Sequence, residues 1–89
     1  MIITQRFRTR KDSRGYIVYF EEEGALEMPG ISVFIVKLLK EERTRKELIT
    51  RVRTRFPRSD ARREVRDVIQ VLRRLDLLSS PSNIVRQLQ

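Results

Sequence analysis

GYIVYF (Gly15–Phe20), then ALEM (residues 25–28), then nothing but helix-period sequence from 31 to 78: this stretch decides the fold. β-Branched and aromatic side chains suit a pleated, half-buried surface, so the two short runs read as strands. Towards the N-terminus, Ile3, Gln5, Phe7 and Thr9 alternate apolar and polar character in the manner of another strand. Lys11-Asp12-Ser13-Arg14-Gly15 supplies turn chemistry between the first run and the second, and Glu21-Glu22-Glu23-Gly24 does so between the second and the third. Both connections are short, which predicts a three-stranded antiparallel meander.

Helical periodicity takes over at Ile31. Ile31, Phe34, Ile35, Leu38 and Leu39 recur at i, i+3, i+4, i+7 and i+8, an apolar stripe along one face. Pro29 falls where a first helical turn tolerates it, because its missing N–H would have no partner there anyway. Thr44-Arg45-Lys46-Glu47 is a capping box opening a second helix, whose core face is Leu48, Ile49, Val52 and Phe56 and which Pro57 ends. Ser59 or Asp60 caps a third helix with Ala61, Val65, Val68, Ile69, Leu72 and Leu75 on its apolar face. Strands first and helices after, joined by short connections, give an α+β, winged-helix-like domain over residues 1–78, with 79–89 as a tail.

Steps of roughly 100° per residue give the third helix an apolar arc of roughly 180°, wider than one core contact needs. Leu78, Val71 and Leu75 lie along one edge, Val65, Val68 and Leu72 in the centre, and Ile69 at the other edge beside Arg62, Arg66 and Arg73. Two readings stand: the sheet and the other helices surround the whole arc, or one edge stays open as the wall of a groove. In the second reading, the edge that mixes Ile69 with three arginines is the one expected to be open.

Composition bounds the chemistry. Eighty-nine residues, 39% hydrophobic and 36% charged, make one small domain with one core. There is no cysteine and no histidine, which removes disulfides, thiolate nucleophiles, the usual general base and the commonest metal ligands. Glu21, Glu22, Glu23, Glu41 and Glu42 read as solvated connections, not as an acid/base pair held in a cleft. Gly15, Gly24 and Gly30 form no phosphate-cradling loop. No enzyme activity, cofactor or metal is expected. No apolar run approaches the roughly 18 residues of a membrane span and no signal-peptide layout opens the chain, so the expected location is the cytoplasm.

The formal net charge is +8, concentrated between Arg43 and Arg66. Such a surface suits an anionic peptide, a merely solvated face or a nucleic acid, and charge alone does not choose among them. Against a winged-helix DNA reader, the strands all precede the helices, where a wing would follow the recognition helix. The chain also has only two tyrosines and four phenylalanines, with Phe7, Phe34 and Phe56 at core-like positions.

G-Y-I-V-Y-F, then A-L-E-M, then I-V-K-L-L-K-E-E-R-T-R-K-E-L-I, then R-F-P, then E-V-R-D-V-I-Q-V-L-R-R-L-D-L-L resembles the PqqD family from about Phe7 to Leu78. Two positions depart from its pattern: Asp76 stands where a glycine usually ends the third helix, and Ser32-Val33 replaces a small-residue pair near the start of the first. The resemblance implies a non-catalytic domain that binds the leader segment of a ribosomally made precursor peptide. The leader would add as a strand to the third strand, against the third helix, for presentation to a modifying enzyme. Carried onto this sequence, the strand is Ala25, Leu26, Glu27 and Met28, and the helix face is Arg62, Arg66, Ile69 and Arg73. The partner enzyme implied is a radical-SAM protein in PQQ-type pathways and a leader peptidase in lasso-peptide pathways, with general likeness leaning to the lasso type. Ile84, Val85 and Leu88 of the tail are a further candidate contact for that enzyme, set against a frayed terminus.

Overall fold

A computed structural model describes residues 1–79. The order is β1 (Ile2–Ile3), β2 (Phe7–Asp12), β3 (Gly15–Phe20), β4 (Gly24–Met28), α1 (Gly30–Leu38), α2 (Arg45–Arg55), α3 (Ala61–Arg74) and β5 (Leu78–Ser79). β2, β3 and β4 form the antiparallel meander in that order, and the fold class is the α+β expected. The first strand differs from its expected extent. Ile2 and Ile3 leave the meander and pair antiparallel with Ser79 and Leu78, and β2 begins only at Phe7. The break has a use: the Gln5 side-chain oxygen accepts from the Glu22 and Glu23 N–H groups (3.0 and 3.3 Å) and ties down the β3–β4 turn. At its other end β2 runs on through Lys11 and Asp12, so only Ser13 and Arg14 remain as the loop.

Opposed residues of an antiparallel pair share a face. Phe7, Thr9, Lys11, Tyr16, Val18, Phe20, Leu26 and Met28 therefore lie on the side of the helices, while Arg8, Arg10, Ile17, Tyr19, Ala25 and Glu27 look away. Gly15 permits a close approach that no side chain could: a Cβ there would stand 2.9 Å from the Met28 carbonyl oxygen. Gly24 takes a φ of +96° to turn the chain into β4, a conformation glycine adopts without steric cost.

Pro29 is the N-cap of α1, one position earlier than a first-turn proline, and carries no side-chain cap. α1 buries Val33 and Val36 beside Ile35 and Leu39, while Ile31, Phe34 and Leu38 are half-buried. The stripe is thus rotated towards Val33, one of the two departures from the family pattern, because a helix with so few polar residues has several faces able to serve as core. Thr44 caps α2 by accepting from the Glu47 N–H (3.1 Å), and its hydroxyl donates to the Glu47 carboxylate (3.3 Å). Of the expected reciprocal box, the half that would bond the Thr44 N–H is replaced by this hydroxyl contact. Asp60, not Ser59, caps α3, accepting from the Arg63 N–H (3.3 Å). Ser59 donates to the Phe56 carbonyl (2.7 Å).

The end of α3 answers the other departure. Asp76 adopts φ +57°, its N–H reaches the Arg73 carbonyl (3.1 Å), and the next N–H, of Leu77, reaches back to Leu72 (2.8 Å). That is a Schellman cap, with Leu77 and Leu72 both fully buried as its apolar contact. The cap turns the chain so that Leu78 and Ser79 meet β1; Ser79, expected in the tail, pairs with Ile2 in this short sheet. Residues 80–89, with the candidate contacts Ile84, Val85 and Leu88, lie outside the described residues.

One core joins the inner sheet face to all three helices, and among the described residues it buries no polar or charged side chain. Phe34 and Phe56 meet edge to face at 5.4 Å, and Phe7 packs against Phe20 at 5.7 Å. Phe7, Phe34 and Phe56 are half-buried at the rim of this core.

Candidate functional site

With no polar side chain buried in the core among the described residues, the chemistry of this domain is that of its edges and surfaces. β4 is one edge of the meander, and among the described residues no strand other than β3 pairs with it. Which of its backbone groups are open follows from one bond outside the strands: the Glu21 N–H donates to the Arg6 carbonyl at 3.0 Å. In an antiparallel ladder, bonded and non-bonded pairs alternate. Arg8–Tyr19 and Arg10–Ile17 are then bonded pairs, and Tyr16, Val18 and Phe20 turn their backbone groups towards β4. Their partners Met28, Leu26 and Gly24 hold β4 in place. Ala25 and Glu27 are left with N–H and C=O pointing outward, two donors and two acceptors in the arrangement an incoming strand requires.

The four sequence-predicted strand positions thus divide in function. Ala25 and Glu27 present backbone to the edge and exposed side chains to the outer face; Leu26 and Met28 brace β4 and pack on the core side, Leu26 half-buried and Met28 buried.

The helix positions divide too. Arg62, Arg66 and Arg73 are exposed along one side of α3. Arg66 takes Asp67 as a neighbouring ion pair at 3.3 Å, whereas among the described residues Arg62 and Arg73 have no ion-pair partner. Ile69 does not stand on an open edge: it is 0% exposed and belongs to the core. The apolar arc of α3 is open on its opposite side, where Val71 is 42% exposed and Leu75 half-buried. Both form one edge of the arc on the helical wheel. The arginines flanking Ile69 point to the other edge in sequence, although long basic side chains commonly border a fully covered residue.

Glu21, Glu22, Glu23, Glu41 and Glu42 are all exposed, as solvated connections should be. Among the described residues no cluster of acidic side chains has the makings of a metal site, and no helix is long and apolar enough to cross a membrane.

Compared with known proteins, residues 15–78 match a family model described as coenzyme PQQ synthesis protein D (PqqD). No curated protein and no solved structure gives a match.

Proposed function

The chain belongs to the PqqD family, and from that premise we propose that it binds the leader segment of a ribosomally made precursor peptide as an added strand on β4, and presents it to a modifying enzyme. The observation that carries this reading is the pair of outward-facing backbone units at Ala25 and Glu27, on an edge no described strand covers. Strand addition draws affinity from main-chain bonds that demand little of the guest's sequence; neighbouring side chains then select the guest. Arg62, Arg66 and Arg73 on α3 are the selecting groups, pairing with acidic leader side chains by bidentate hydrogen bonds that lysine would imitate poorly. Leu26 and Met28 set the inner wall from β4, with Ile69 bracing α3 from within the core.

The domain performs no chemistry and needs no cofactor in this account. It raises the effective concentration of the precursor at its enzyme, a radical-SAM protein in a PQQ-type pathway or a leader peptidase in a lasso-type one, in the cytoplasm where the precursor is made.

Proline scanning of β4 tests the mechanism. Glu27→Pro removes an outward donor and leaves the β3–β4 ladder whole, so it should weaken a labelled leader by about tenfold with the circular dichroism spectrum retained. Met28→Pro removes a donor that faces Tyr16 and should destabilise the sheet itself. Full affinity in a folded Glu27→Pro protein would remove strand addition at this edge.

A further inference from the structure

The meander has a second free edge whose chemistry contrasts with that of the first. β2 pairs only with β3 among the described residues. By the alternation that frees Ala25 and Glu27, β2 holds β3 through Arg8 and Arg10 and turns the N–H and C=O groups of Phe7, Thr9 and Lys11 outward. Where the β4 edge carries the single charge of Glu27, β2 reads Phe-Arg-Thr-Arg-Lys-Asp. A groove of about 830 Å³ opens at its Phe7 end. Ile3, Phe7 and Phe20 contribute apolar surface to it, and the positive charge of Arg6, Arg8 and Lys40 outweighs the one carboxylate there, that of Glu21. The Lys40 ammonium sits 5.0 Å from the centre of the Phe7 ring, which holds that charge at the groove.

We infer that this edge is a second docking surface, taking an extended segment of a partner protein whose side chains alternate between acidic and apolar. The alternation follows from the pleat: guest residues on the outer face meet Arg8 and Arg10, and the residues between them fall on the inner side, against Phe7, Thr9 and the stems of Lys11 and Lys40. Opposite charges facing each other across paired strands attract and like charges repel. The same rule disfavours a second copy of this chain, since in-register antiparallel pairing of β2 with itself sets Arg8 of each copy against Arg10 of the other. Basic residues on an edge often serve only to repel other strands; the apolar-floored groove beside this one distinguishes it from a plain deterrent. With the leader on one edge and a partner on the other, the domain would hold both at a fixed separation. The β2 site nevertheless stands independently of whether a leader occupies β4, because the two edges are read on different amides.

The test is a titration of the isotope-labelled full chain with a short peptide of alternating glutamate and leucine, followed by amide chemical shifts. Saturable shifts centred on Phe7, Thr9 and Lys11 that persist in Glu27→Pro, where the β4 edge is blocked, with no response to the lysine–leucine counterpart, are expected. Arg8→Glu combined with Arg10→Glu should weaken binding by about tenfold, as two cross-strand attractions become repulsions. The wild-type shift map decides the question by itself should that variant not fold. Shifts confined to β4, an equal response to the lysine peptide, or β2 shifts that grow with protein concentration in the absence of peptide would each overturn the inference.

Discussion

Asp76 occupies the left-handed conformation that an L side chain enters only at a cost, and it does so to close the Schellman cap through which Leu77 reaches the core. Asp76→Gly should therefore stabilise the domain by roughly 0.5–1 kcal/mol, and a β-branched residue there should destabilise it. Urea denaturation checks this as a shift of midpoint at constant slope. Thr44→Ala loses the α2 cap and should cost about 1 kcal/mol in the same measurement. Both positions are legible in sequence, because a cap depends on one residue type at one place beside a periodic run. The rotation of the α1 stripe towards Val33 and Val36 is not: with only Ser32 and Lys37 polar between Ile31 and Leu39, periodicity has too little contrast to choose a face.

At the scale of elements, three helices and three meander strands follow from the order of their hydrophobic periods, and turn chemistry marks their connections. The β1–β5 pairing escapes that reading because each partner is only two residues long and they meet from opposite ends of the fold. The open groups of β4 escape it for another reason: a strand's sequence does not say which of its residues face the ladder, and a single loop bond, Glu21 to Arg6, determines the parity. α3 shows how charge can mislead, since Ile69 is covered although Arg66 and Arg73 stand one turn away on either side, and Val71 is open with Arg74 the one arginine beside it. If Arg62, Arg66 and Arg73 select an acidic leader, replacing all three with alanine should weaken binding and flatten its dependence on salt, as fluorescence titrations at several ionic strengths would register. A fully preserved salt slope would assign them to the solvated face. Val71→Ala, a truncation on the opposite side of the helix, should leave leader affinity within about twofold, as expected for a contact outside the groove.

For the molecule as a whole, a charge of +8 draws any polyanion, so weak attraction to duplex DNA is expected, within the nonspecific range of about 10⁻⁴ to 10⁻⁶ M and falling steeply with salt. Sequence-selective binding tighter than that would favour a DNA-reading role over peptide binding. Peptide binding by strand addition depends on one property of the intact domain, an edge kept vacant for a guest, and amide hydrogen exchange reads that property directly. In the peptide-free protein the Leu26 and Met28 amides, bonded to β3, should exchange slowly while those of Ala25 and Glu27 exchange fast. Saturating leader should slow Ala25 and Glu27 and change Leu26 and Met28 little. Protection of Ala25 and Glu27 before any peptide is added, or no change in their exchange once the leader is bound, would contradict the account.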